Sequence, residues 1–229
     1  ADKPWLQQQP VHDAPCSLSC HSPREVSLAW RGEDYPFPGP CEMTYTLEAP
    51  HYIDMAFECT LRDVSLTHCP ELVLIWATYL TGLRERALHF WGTCAEGRGW
   101  LSVGDEGMYA RIAAEGAASI QGDEVSPLCG ERFVLPFCYV LVDGDGHLAG
   151  KADTLVFALF FRRGDLFRFM FREWSPDSSL LAWQFIMRAP KAGETYAYRA
   201  RAVYKPWVDA EDIRDEYRRW AESLPPSTS

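Results

Sequence analysis

Apolar and polar residues alternate one by one through several short runs, most clearly in the last third of the chain. These runs are DTLVFALFFRR (153–163), DLFRFMFREW (165–174), LLAWQFIMRAP (180–190) and TYAYRARAVYKPW (195–207). In the second, Phe167, Phe169 and Phe171 alternate with Arg168, Met170 and Arg172; in the fourth, Tyr196, Tyr198 and Tyr204 share one parity and Arg199, Arg201 and Lys205 the other. Period-two alternation predicts strands with one face buried and one turned to something polar.

The same reading extends towards the N-terminus. REVSLAW (24–30), MTYTLEA (43–49) and YIDMAFECTL (52–61) read as strands, the last two as a pair divided at Pro50 and His51. LVLIWATYL (72–80) reads as a central strand, ALHFWG (87–92) as another, and FVLPFCYVLVDGDGHL (133–148) as a strand running into an Asp-Gly turn. Residues 1–23 are expected to form an extended arm. Residues 95–132, rich in Gly, Ala and Ser, are expected to form a long loop region with a short helix at MYARIAAEGAA (108–118). A period near 3.6 occurs at 209–224: Asp209 is an N-cap, Glu211 and Asp212 lie in the first turn, and Ile213, Tyr217, Trp220 and Leu224 form one apolar stripe. Pro225 and Pro226 end the helix. The fold class that follows is all-β: an antiparallel two-sheet sandwich with one C-terminal amphipathic helix, a single domain over residues 1–229.

Composition changes this picture little: 47% of residues are hydrophobic, 24% charged and 14% aromatic, which suits a globular β protein. Net charge is more informative. At −10 it argues against non-specific partnership with nucleic acid or an anionic membrane surface, and no apolar run approaches the ~20 residues of a membrane-spanning helix. Eight cysteines form no regular framework, so they are read as thiols or as disulfide partners. If Ala1 is a mature N-terminus, a secreted or periplasmic location is expected.

Candidate chemistry follows from the strand parities. His89 shares a face with Trp91, while Leu88 and Phe90 point the other way; a histidine beside a tryptophan on a polar sheet face can act as a general base next to a sugar-stacking ring. The plainer alternative is a hydrogen-bonded structural histidine. Glu48, Asp54, Glu58 and Glu173 are candidate acid–base carboxyl groups. Asp54 and Glu58 lie roughly 13 Å apart along one strand, too far for a glycosidase pair; a hairpin brings Glu48 nearer Asp54. The basic strand face, Arg168, Arg172, Arg188, Arg199, Arg201 and Lys205, could hold the carboxylates or sulfates of an acidic glycan, or could simply be solvated surface. Trp76, Trp91, Trp174 and Trp183 are candidate stacking platforms, with Arg172 and Arg201 as substrate-binding cations. DGDGH (143–147) fails the calcium-loop pattern because position twelve is Thr154, and CSLSCH (16–21) has no second ligand pair for zinc. No GxSxG, phosphate-binding glycine–lysine loop, HExxH or GxGxxG motif is present. No metal or cofactor is expected.

In its order of strands, with the basic and aromatic strands after residue 153, the chain resembles the concanavalin A-like (lectin/glucanase) jelly-roll group over roughly residues 24–207. That resemblance implies two packed antiparallel sheets, the concave one binding glycan. The ExDxE-type strand of many glucanases in that group is absent. AWQFI (182–186) and the aromatic strands also resemble the galactose-mutarotase-like supersandwich, although 229 residues is short for it. The function expected is a carbohydrate-active enzyme, a glycoside hydrolase or polysaccharide lyase acting on an oligo- or polysaccharide in a sheet-face cleft. A hydrolase would use the carboxyl groups, and a lyase would use His89 or a tyrosine as base with Arg172 or Arg201 neutralising a uronate. The alternatives are a non-catalytic carbohydrate-binding module and a sugar mutarotase or isomerase. Sugar identity and oligomeric state are left open.

Overall fold

Strand formation follows the alternation almost everywhere it was read. The computed structural model describes residues 15–31, 39–62, 71–104, 110–117, 128–144, 154–165 and 167–225. In chain order the strands are β1 (Ser17–Ser22), β2 (Glu25–Trp30), β3 (Cys41–Glu48), β4 (Tyr52–Thr60), β5 (Glu71–Thr81), β6 (Ala87–Cys94) and β7 (Gly97–Gly104). They continue with β8 (Ala110–Ala114), β9 (Arg132–Phe133), β10 (Phe137–Asp143), β11 (Thr154–Phe161), β12 (Phe167–Ser175), β13 (Ser178–Arg188) and β14 (Thr195–Pro206). Helix α1 spans Ala210–Ser223. The fold is an all-β sandwich with one C-terminal helix among the described residues.

The expected single domain packs as two compact units. The first comprises residues 1–73 and 186–201; its strands run in the order β1-β2-β3-β4-β14, using the first part of β14. Its antiparallel registers are regular: Leu28 opposes Met43 across β2 and β3, and Met43 opposes Phe57 across β3 and β4. Met43, Met55, Phe57 and Tyr198 are buried there, and the Phe57 and Tyr198 rings stack at 5.3 Å.

The second unit comprises residues 74–185 and 202–229. From the last part of β14 its order runs through β11, β10, β6, β9, β8, β12 and β13 to β5, and β7 pairs with β6. Its core is aromatic. Phe137, Phe160, Phe161, Phe169 and Phe171 are fully buried, with Phe161 4.3 Å from Phe167 and Phe169 4.9 Å from Phe133. Helix α1 begins at Asp209, whose carboxylate accepts the Asp212 amide hydrogen at 2.8 Å. Its buried stripe of Ile213, Tyr217 and Trp220 lies on β10 and β11, with Tyr217 5.1 Å from Phe137 and Trp220 6.0 Å from Phe160. Lys205 of β14 reaches the helix and forms ion pairs with Glu216 and with Asp212 at 2.7 Å.

Four expectations are corrected. Residues 95–132 are not one loop: β7 pairs with β6 along its whole length, from Ala87–Gly104 to Cys94–Gly97. Within the segment read as a short helix, Ala110–Ala114 form strand β8, antiparallel to β12 and parallel to β9, so the sheet is not antiparallel throughout. Its Ile112 and Ala113 are fully buried; a run of small residues with weak intrinsic preference takes the conformation its neighbours impose. The extended arm of residues 1–23 contains β1, paired with β2; residues 1–14 lie outside the described residues. Finally, the basic face is not one solvated surface. Arg168 is 1% exposed because β12 and β13 are covered on both faces over much of their length, and Lys205 is buried against α1. The turn read at DGDGH lies mostly outside the described residues, β10 ending at Asp143.

Candidate functional site

Strand β6 presents its two faces as its parity requires. Leu88 and Phe90 are fully buried, while His89 and Trp91 lie half-buried on the other face. Gly92 follows because β9 comes very close: a Cβ there would meet the Arg132 carbonyl oxygen at 2.2 Å. His89 opposes Tyr139 of β10 on one side and Ser102 of β7 on the other. The two rings of the first pair stack almost parallel, 4.8 Å apart at 18°. His89 Nε2 lies 2.9 Å from Glu85 Oε1, in the connector that leads into β6.

Four more aromatic groups surround this pair. Trp207 is tilted against Tyr139 at 5.2 Å, and Trp100 meets Tyr139 edge-on at 6.0 Å. Trp100 also meets Trp91 edge-on at 5.5 Å and Phe137 at 5.9 Å. The first turn of α1 holds the indoles: Trp100 Nε1 donates to Glu211 Oε1 at 2.8 Å, and the Arg214 guanidinium, ion-paired with Glu211, lies 4.6 Å from the Trp91 ring centre.

Such cover alters proton affinities. Burial holds the His89 imidazole below the ordinary histidine value, with the Glu85 carboxylate acting the other way. Burial, reinforced by Glu85, pushes the Tyr139 phenol up to about 12. At neutral pH the imidazole is therefore neutral and the phenol protonated. With Nε2–H donated to Glu85, the imidazole lone pair is on Nδ1. A base and an acid thus stand side by side, under an aromatic wall, with a carboxylate fixing the tautomer.

The other candidate residues fall elsewhere. Asp54 accepts a two-pronged hydrogen bond from Arg201, at 2.6 and 2.7 Å, and Arg201 lies 4.6 Å from the Tyr52 ring centre. Both charges are thus committed within the first unit. Glu48, exposed, opposes Tyr52 at the end of β3. Glu58 is exposed on β4 opposite Glu42 and lines a groove of about 590 Å³ in the first unit, together with Arg31, Arg62 and Arg199. Arg31 bonds Glu42 there at 2.5 Å. In the second unit, exposed Glu173 lies 3.7 Å from Arg86. Trp183 is buried at 7% exposure and stacks with Trp76 at 6.3 Å, which removes it as a platform facing solvent. Trp174 is 51% exposed, beside the exposed Tyr79 at 4.9 Å and with the Arg172 guanidinium 5.2 Å from its ring centre.

The sequence candidates thus fall into pairs, Asp54 with Arg201, Arg172 with Trp174 and Trp76 with Trp183, and the pair on this face of β6 is His89 and Trp91. Glu85, Trp100, Tyr139 and Trp207 complete the cluster; Tyr139 was readable only as core within FVLPFCYVLVDGDGHL. Among the described residues no group of three or more His, Cys, Asp or Glu side chains is arranged to hold a metal ion, and no helix is long and apolar enough to cross a membrane.

No protein-family model matches the chain, and no curated protein matches it. Among solved structures it is similar to the GH36 alpha-galactosidase AgaB of Geobacillus stearothermophilus, at 11% identity and TM-score 0.48, over 80% of this chain and 24% of that one. A variant of alpha-galactosidase AgaA from the same organism, in complex with raffinose, has 11% identity and TM-score 0.48 over 87% and 26% of the two chains. An Escherichia coli K12 protein whose name proposes an aldose 1-epimerase has 8% identity and TM-score 0.45 over 84% and 69%. The chain spans about a quarter of the length of the two galactosidases.

Proposed function

We propose that this protein acts on neutral sugars by proton transfer, as an aldose mutarotase, with His89 as base and Tyr139 as acid. The observation that carries this reading is the Glu85–His89–Tyr139 arrangement: a neutral imidazole and a protonated phenol 4.8 Å apart, one oriented by a carboxylate. In the forward step, His89 Nδ1 takes the proton of the anomeric hydroxyl while Tyr139 gives its proton to the ring oxygen. The C1–ring-oxygen bond breaks and the open aldehyde forms. Rotation about C1–C2 and reclosure, with His89 returning its proton to the carbonyl oxygen and Tyr139 recovering its own, gives the other anomer. Trp100 and Trp207 supply the apolar faces on which sugar C–H groups stack.

Hydrolysis and elimination have less support from the same geometry. Glycoside hydrolysis needs two carboxyl groups on one bond, and Asp54 is committed to Arg201 while Glu85 faces an imidazole. Elimination from a uronate needs a cation at the carboxylate, whereas Glu85 and Glu211 make this flank acidic and Arg214 is paired with Glu211. A second reading, sugar binding without turnover, draws on the exposed Trp174 and Tyr79 rings.

The deciding experiment follows the interconversion of freshly dissolved α-aldoses by polarimetry or proton NMR, with a panel of neutral hexoses and pentoses. Acceleration over buffer that is lost in His89→Gln and in Tyr139→Phe supports the reading. No acceleration with any aldose overturns it; a chemical-shift or melting response to a sugar without turnover then leaves the binding reading.

A further inference from the structure

The register between β3 and β4 sets two cysteines face to face. Cys41 and Cys59 are direct partners in the antiparallel ladder. Their position within the ladder follows from a neighbouring bond: the Thr60 amide donates to the Pro40 carbonyl at 3.1 Å. Pro40 and Thr60 therefore occupy a hydrogen-bonded site, single-bonded because proline has no N–H, and the next pair inward, Cys41 and Cys59, occupies a non-hydrogen-bonded site. At such sites the Cα atoms approach to about 4.5 Å, inside the roughly 4.4–6.8 Å that a disulfide spans.

The register here has little freedom to slip. A Cβ on Gly39 would meet the Thr60 carbonyl oxygen at 2.0 Å, so the two backbones touch where β3 begins. Beyond it, the Leu61 amide donates to the Glu194 carbonyl and the Gly193 amide to the Leu61 carbonyl, at 3.1 and 2.7 Å. Both cysteine side chains are buried, at 4% and 1% exposure, yet both residues line the 590 Å³ groove of the first unit. Both are thiols in this structure, the Cys41 thiol donating to the Gly39 carbonyl oxygen at 3.6 Å.

We infer that Cys41 and Cys59 are a dithiol–disulfide pair, cross-linking β3 to β4 when a small-molecule disulfide such as oxidised glutathione is supplied through the groove. The Cys41 thiolate, turned about χ1 towards its partner strand, attacks the small disulfide. A mixed disulfide forms and one small thiol leaves. The Cys59 thiolate then attacks the Cys41 sulfur, the intramolecular S–S bond forms, and the second small thiol leaves. Two hydrogens and two electrons pass from the protein to the oxidant, and a reducing thiol reverses both steps. This inference is independent of the activity proposed above.

Sequence makes the test direct. Tryptic cleavage after Arg31 and Arg62 yields one peptide, residues 32–62, carrying both cysteines and no other. The intact chain is incubated with oxidised glutathione, quenched with acid, unfolded, alkylated with iodoacetamide and digested without reductant. The expected peptide is unalkylated and two hydrogen atoms lighter than the reduced form, and prior dithiothreitol restores two alkyl groups. Two alkyl groups after oxidation, a glutathione adduct on one thiol, or linkage to another cysteine peptide would overturn the pair. In parallel, oxidation raises the melting midpoint of the wild-type chain by on the order of 5–10 °C. The same rise in Cys59→Ser would assign it to other cysteines and sink the inference, whatever stability that variant has when reduced.

Discussion

The first unit and the His89 cluster of the second handle polar groups in opposite ways. In the first, charges meet opposite charges near water: Asp54 with Arg201, Glu42 with Arg31, Lys191 with Glu194. In the second, the polar groups of the His89 cluster meet aromatic rings, and the nearest charge is a single carboxylate. An ion pair in partial solvent fixes geometry and holds each group in its charged form. A half-buried imidazole stacked on a phenol is held neutral and its partner protonated, which makes both available for proton transfer near pH 7. Where charges cancel pairwise the structure builds walls; where burial suppresses charge it builds acid–base capacity.

The largest test of that contrast is His89→Gln, expected to cut aldose interconversion by about 100- to 10,000-fold, read by polarimetry. Asp54→Asn leaves the rate unchanged; an equal loss in both variants would erase the distinction between the units. Next, Phe169→Ala removes a fully buried ring between Phe133 and Phe161 and costs about 3–5 kcal/mol in denaturant melts. Lys205→Met removes the ammonium that pairs with both Glu216 and Asp212, a loss of about 3 kcal/mol. Burial lowers the Lys205 proton affinity, but the two carboxylates more than offset it and the pKa stands above its ordinary 10.5. A raised folded-state pKa contributes stability fully below the unfolded value, so the lysine's contribution is intact at neutral pH and is lost as pH rises beyond about 10.5. Asp54→Asn costs least, about 1 kcal/mol or less, because that pair is partly solvated.

The pH profile sharpens the comparison without any substitution. With the base required neutral, kcat/KM rises with pH through an apparent pKa below the ordinary 6.5 of histidine. It then stays level until Tyr139 loses its proton near 12. A decline between pH 7 and 9 would mean that some other group is the acid.

Much of the architecture was legible because period-two alternation is a local property. The strands from 153 onwards, the hairpin of β3 and β4, and α1 with its Asp209 cap were all readable from neighbouring residues. So was the face shared by His89 and Trp91, which one strand's parity decides. β7 and β8 were not legible: glycine and alanine carry no alternation, and those segments become strands because β6 and β12 offer them hydrogen-bonding edges. Parity also misled where sheets are covered on both sides, as for Arg168 and Trp183, since alternation says that two faces differ but not what lies over each.

Sequence by itself therefore determined the strands that carry an alternation, the helix and its cap, and which residues share a face of one strand. Tertiary structure decided the partners: Tyr139 against His89, Arg201 on Asp54, and Cys59 opposite Cys41. The reason is physical. Backbone periodicity acts over two to four residues, whereas acid–base pairs and cross-links form between groups 18 to 147 positions apart, brought together only by strand register and the closing of the core.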